Sequence, residues 1–371
     1  MKILELCLST DLGGLELYML RCVQKLAETD SVLAVVAPGG KPAEYLAKGG
    51  RRFVTLKPRV RALPLSTARQ LARIIDREQI DVLHMHWGKD LPLAALAKAC
   101  SRRKPALVYT RQMQMTRPKQ DFYHRFLYRQ VDRLTGITRA LAEDMRRFIP
   151  EIASRIDYLY YGVAAPTTKL TPEQRSARRR ELGVPEDVFL IGLFGRIKHY
   201  KGQHLLLDAL ARAKVENVPM HGLIVGRAME QDYLEGLKAR SAREHLPVTF
   251  KDFVEGPQAL MQACDCVILT TVEETFGLVL VEAMRAGVPV VGSDRGGVPE
   301  IIEHGESGML FRSGDGEHLY AQLLRLQQDS ALARRLGAQG KAKADVQFAD
   351  DAHFPELRRR LQALISAENA G

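Results

Sequence analysis

Residues 266–297 read CVILTTVEETFGLVLVEAMRAGVPVVGSDRGG, and this stretch decides the fold. The apolar run over 266–271 has the length and composition of a buried strand, and an acidic turn follows it. A helix is predicted from about Phe276 to Ala286; Gly287 stops it, and Val288 begins the next strand. Glu274 lies just before the helix and Glu282 eight residues later, so a rise of ~1.5 Å per residue sets them about 12 Å apart along its axis. Between them, the backbone N–H groups of Phe276, Gly277 and Leu278 open a helix, where an anion is favoured. A diphosphate flanked by hydroxyl-rich groups, as in a nucleotide-sugar, fits this pattern.

The chain has 371 residues, enough for two domains with separate cores, and its hydrophobic fraction of 46% is that of a soluble globular protein. No apolar run approaches the ~18–20 residues of a membrane span. The opening MKILELCLST is too short and too strand-like for a signal peptide. The five cysteines, Cys7, Cys22, Cys100, Cys264 and Cys266, are odd in number and lack metal-site spacing, so they are expected to be buried free thiols in a reducing cytosol. The net charge of +10 is unevenly placed: residues 1–163 hold 28 Lys+Arg against 16 Asp+Glu, and residues 164–371 hold 26 against 28. The first half is therefore expected to meet an anionic partner: a phosphorylated substrate, an acidic lipid surface or nucleic acid. No nucleic-acid-binding motif accompanies the charge, and nucleic acid is not expected.

Strand Lys2–Leu8, a Gly13-Gly14 turn and a helix over Leu15–Ala27 open a doubly wound α/β domain. His84 and His86 alternate with Val82 on one predicted strand, so both point to one face. Two histidines without a visible third ligand do not make a metal site, and no metal is expected. Over 117–133 (RPKQDFYHRFLYRQVDR), Arg125, Arg129 and Arg133 recur every four residues on one predicted helical face, with Phe122 and Phe126 expected to pack inward.

Glu274, seven residues, Glu282, with Phe276-Gly277 after the first Glu and EAMRAGVPVV from the second, resembles the donor-site signature of retaining GT-B glycosyltransferases of family four (glycosyl transferases group 1). The resemblance covers most of the chain, closely over about 189–311 and loosely before 165. It implies an α/β GT-B fold, two Rossmann-like doubly wound domains facing across a cleft. Residues 1–165 would bind the acceptor and 166–350 the nucleotide-sugar. Residues 351–371 would form a helix crossing back to the first domain.

The resemblance also distributes roles. Gly195-Arg196 and Lys201-Gly202 fall where relatives place cations on the donor diphosphate; fixed cations can stabilise a departing nucleoside diphosphate without a metal. Glu274 would orient the sugar, with Thr275, Phe276, Gly277 and Leu278 around the phosphates, and Glu282 would hold the ribose. Val254 lies in the turn beside the base, and Gly13 and Gly14 face the donor phosphates. Asp11, His86 and Gln112 would line the acceptor side. Gln112 stands where many relatives carry histidine; an amide can hydrogen-bond a hydroxyl but cannot shuttle a proton. The implied activity is retaining, metal-independent glycosyl transfer from a UDP-, GDP- or ADP-sugar. The acceptor would be a hydroxyl of a glycan or lipid-linked acceptor, foremost in lipopolysaccharide core or surface polysaccharide synthesis. No cofactor is expected, and the location is cytoplasmic, peripheral on the inner membrane face. Two alternatives stay open: a GT-B nucleotide-sugar epimerase, and a basic-surface binding protein without catalysis.

Overall fold

The computed structural model describes residues 1–58, 60–254 and 256–368. Arg59, counted in the basic half, and Glu255, in the turn after Val254, lie outside the described residues. The chain divides into two compact units, Met1–Tyr160 with Asp351–Gly371, and Tyr161–Asp350.

The first unit is built on seven strands: β1 (Lys2–Cys7), β2 (Ser31–Val36), β3 (Phe53–Thr55), β4 (Val82–Met85), β5 (Ala106–Arg111), β6 (Arg133–Gly136) and β7 (Ile156–Tyr158). They pair in parallel in the order β3-β2-β1-β4-β5-β6-β7. The second unit has six: β8 (Phe189–Phe194), β9 (Met220–Val225), β10 (Val248–Lys251), β11 (Cys266–Leu269), β12 (Val290–Ser293) and β13 (Met309–Phe311), ordered β10-β9-β8-β11-β12-β13. Parallel pairing needs a crossover between successive strands, and helices supply it. Covered on both faces, central strands such as β4 and β9 are buried along their whole length, hence their near-continuous apolar runs. These are two Rossmann-like, doubly wound α/β units.

In each sheet the strand order reverses once, between β1 and β4 and between β8 and β11. Loops leaving neighbouring strands there run to opposite sides, opening a crevice beyond the strand C-termini. The loops after β8 and β11 carry Gly195–Gly202 and Thr270–Gly277; those after β1 and β4 carry Ser9–Gly13 and His86–Gly88.

The helix Asp350–Glu368 leaves the second unit at its first residue and packs in the first unit thereafter. His353 Nε2 meets the Tyr18 hydroxyl at 2.9 Å, its Nδ1 the Tyr160 carbonyl at 2.7 Å, and Arg358 pairs with Asp30 at 2.7 Å.

Three local expectations change. The helix expected within 117–133 covers only Phe122–Arg129, and Arg133 opens β6, where it faces Asp157. Phe122 and Phe126 point outward, 87% and 41% exposed, because Leu127 and Tyr128 occupy the buried face. Four of the cysteines are buried, but Cys100, the last residue of the helix Leu91–Cys100, is exposed.

Candidate functional site

In the second unit the two switch-point loops meet through one ion pair: Lys201 Nζ lies 2.7 Å from Glu274 Oε2. Both side chains are about four-fifths buried, at 19% and 21% exposure, so the charges are held yet reachable. Their backbones are tied as well. Thr270 Oγ1 donates to the Lys201 carbonyl at 2.8 Å, and Gln203 Nε2 donates to the Arg196 carbonyl at 3.0 Å. Gly202 has φ +72°, and a Cβ there would lie 2.4 Å from the Thr270 carbonyl oxygen. Only glycine lets the Lys201 turn close against β11. Arg196, earlier in the same loop, is exposed.

Glu274 is fixed from its other side by a pair the sequence reading left out of the site. Gly297 N–H donates to the Glu274 carbonyl at 2.8 Å, and Gly296, at φ +64°, packs so closely that a Cβ would fall 2.1 Å from the same oxygen. The Gly-Gly after β12 was the available signal; its target needed the fold. The helix begins two residues later than expected, at Leu278, with Gly277 as its N-cap at φ +106°. Phe276 is buried, edge-on to Tyr161 and Phe348. Thr275, Leu278 and Glu282 are half-buried, as are Gly195 and Val254. Beside Val254, the exposed Phe253 ring lies under the Arg227 guanidinium at 5.7 Å.

In the first unit Gly13 N–H donates to Glu16 Oε2 at 2.8 Å, capping the helix Gly14–Leu26 and fixing the Gly13-Gly14 turn. Asp11 is exposed, 3.4 Å from Lys41 Nζ. His86 does not reach the surface. Its Nε2 lies 2.6 Å from Glu5 Oε2 and its Nδ1 3.5 Å from Gln112 Nε2. His84 contacts the same carboxylate at 3.0 Å through Nδ1, and Thr110 Oγ1 at 2.8 Å through Nε2. His86 thus lies beneath the nearly buried Gln112, and Glu5, unremarked in the sequence, is the hub of this network. Burial pushes the Glu5 carboxyl up, but attraction and hydrogen bonds from His84 and His86 outweigh it and hold it well below the ordinary range.

Asp90 is also buried. Its Oδ2 accepts from the Leu8 N–H at 2.8 Å, and Arg61 stands 3.9 Å from its Oδ1. Burial pushes this carboxyl up to about 7; the Leu8 amide and Arg61 oppose the shift without cancelling it. Near the outward Phe122, Lys119 is pushed down by burial and by the Arg117 and Arg111 charges, the mark of a locally positive surface.

Residues 12–165 match the family model described as Glycosyltransferase Family 4, and residues 174–343 the one described as Glycosyl transferases group 1. The N-acetyl-alpha-D-glucosaminyl L-malate synthase of Bacillus anthracis is 26% identical over 300 residues, 77% of this chain and 76% of its own. The crystal structure of Anabaena HepE in complex with UDP superposes with a TM-score of 0.87 at 26% identity, covering 98% of this chain and all of that one. The lipopolysaccharide outer core galactosyltransferase WaaB shares the fold, with a TM-score of 0.75 at 18% identity over 98% of this chain and 99% of its own. Among the described residues no helix is long and apolar enough to cross a membrane.

Proposed function

Because this chain belongs to the family 4, group 1 glycosyltransferases of GT-B fold, we propose that it moves a sugar from a nucleoside-diphosphate sugar to an acceptor hydroxyl with retention at the anomeric carbon. The observation that carries this reading is the Lys201–Glu274 pair, which holds a cation and a carboxylate side by side at the switch point, with the exposed Arg196 in the same loop as Lys201. As the donor enters, its phosphate oxygens take the Lys201 ammonium and the Arg196 guanidinium, while Glu274 turns to the sugar hydroxyls. These cations and the helix N–H groups near Leu278 stabilise the charge that develops on the leaving diphosphate, so transfer needs no metal. Glu282, about one turn into that helix, binds the ribose, and the turn at Val254 takes the base. HepE, at 26% identity, was crystallised with UDP and with UDP-glucose, which supports a uridine donor here.

Transfer proceeds on the front face, with the departing phosphate accepting the proton of the incoming hydroxyl. No protein base is required on the Gln112 side; the amide only orients hydroxyls. The first unit binds the acceptor. Its positive surface around Arg111, Arg117 and Lys119, beside the outward Phe122 and Phe126, fits an anionic, lipid-linked glycan at the inner membrane face, with lipopolysaccharide core the leading case.

The test is nucleotide release from UDP-, GDP- and ADP-sugars in the presence of candidate glycolipid acceptors. The wild-type chain should turn over one diphosphate class, and Glu274→Ala, still folded by circular dichroism, should not. Wild-type rates in Glu274→Ala would overturn the assignment.

A further inference from the structure

The buried cluster under β1 and β4 has a property that glycosyl transfer does not use. Glu5, Cys22, His84 and His86 each offer a donor atom, all these atoms lie within 4.8 Å of one another, and all four residues are buried. They come from three elements: β1, the helix Gly14–Leu26, and β4 with the residue after it. From these donors we propose that the core of the first unit holds a four-coordinate structural metal ion, zinc or a cation of similar softness.

Three observations carry this. The donor set is one carboxylate, one thiol and two imidazoles, the mixture that borderline cations take in tetrahedral sites. Bond lengths of about 2.0–2.3 Å set tetrahedral donors roughly 3.3–3.8 Å apart. The contacts of 3.0 Å from Glu5 to His84 and 2.6 Å to His86 are shorter than that spacing, and no donor separation exceeds 4.8 Å, so metal binding requires donor shifts of up to about 1 Å. Second, each histidine has a polar partner on its other nitrogen, Thr110 Oγ1 at 2.8 Å and Gln112 at 3.5 Å, as metal-ligating imidazoles do. With metal on His86 Nε2, Nδ1 carries the proton and Gln112 turns its amide oxygen to accept it. Third, among the described residues no lysine or arginine pairs with Glu5, so its charge lies in the core beside imidazoles alone. A divalent ion bound by the Glu5 carboxylate and the Cys22 thiolate, with two neutral imidazoles, makes the cluster neutral overall, which a low-dielectric interior favours. Binding releases the thiol proton to solvent. No fourth position is left for water, so the ion is structural and takes no part in transfer.

The full-length chain, stripped with a chelator and shown folded by circular dichroism, is titrated with Co2+ and then Zn2+. The expected result is one equivalent of Co2+ per chain, with a thiolate-to-cobalt charge-transfer band and the visible bands of four-coordinate cobalt, both bleached by one equivalent of Zn2+. Cys22→Ser should lose the charge-transfer band while keeping visible bands. If that variant fails to fold, the wild-type stoichiometry and spectrum still decide. A folded wild-type chain that binds neither ion stoichiometrically, or shows only octahedral cobalt, would overturn the site and leave a hydrogen-bonded network. Nucleotide-sugar turnover is measured separately, so failure of either proposal is visible without the other.

Discussion

Gly296→Ala perturbs Glu274 without removing any side chain. At φ +64° an L residue costs about 1–2 kcal/mol. The new Cβ would lie 2.1 Å from the Glu274 carbonyl oxygen, whereas carbon and oxygen rest no closer than about 3.3 Å. The segment carrying Glu274 must therefore yield by roughly 1 Å, and a misplacement of ~1 Å at a reacting centre costs about 100-fold. The expected result is a loss of about 2–4 kcal/mol in stability, from strain and overpacking together, with a fall of about two orders of magnitude in kcat/KM. Gly305→Ala is the control: φ is +79°, yet nothing lies within 4 Å of its Cβ. It should lose about 1–2 kcal/mol and keep its activity. Thermal melts and a coupled nucleotide-release assay read both quantities. Wild-type kcat/KM in Gly296→Ala, or an equal loss in Gly305→Ala, would refute the reasoning.

Lys201→Ala should lower kcat by about 10²–10³-fold while changing stability by about 1 kcal/mol or less, because the pair with Glu274 is partly solvated; a melt that collapses at full residual activity would reverse the assignment. Asp90 titrates near 3.9 when unfolded and at about 7 when folded. Between these values the folded state holds a proton that the unfolded state has lost, so stability falls as pH rises through the window and levels off above it. Asp90→Asn should flatten the dependence of Tm on pH between 5 and 7, and an unchanged slope would contradict the burial argument. Replacing Phe122 and Phe126 together by serine should reduce flotation with anionic vesicles at low salt and leave circular dichroism unchanged; undiminished flotation would remove these rings from the docking surface.

Much of the fold was legible because each buried strand is an apolar run closed by a turn. The strand expected over Lys2–Leu8 is observed over Lys2–Cys7, and the helix expected over Leu15–Ala27 runs over Gly14–Leu26. Long-range packing was not legible. Phe122 and Phe126 have helical spacing, but Leu127 and Tyr128 fill the inner face, and nothing local ranks one apolar pair over the other. The Glu274 turn was visible in its glutamates and glycines, whereas the contact of Gly296 with it depends on the return of β12 to the switch point. Glu5 and Cys22 sit in strand and helix patterns where a carboxylate and a thiol carry no signal. The pairing of β1 with β4 sets Glu5 beside His84, and the packing of the helix Gly14–Leu26 brings Cys22 to the same cluster.

The central claim is that the second unit binds a nucleoside diphosphate through Arg196 and Lys201. Calorimetric titration of the full chain with UDP, GDP and ADP, repeated on Arg196→Ala and Lys201→Ala, tests it directly. One site per chain is expected, with UDP preferred. Each variant should bind about ten-fold or more weakly, as loss of a charge-assisted phosphate contact of about 1.5–3 kcal/mol requires. No binding of any nucleoside diphosphate, or affinity unchanged in both variants, would contradict it.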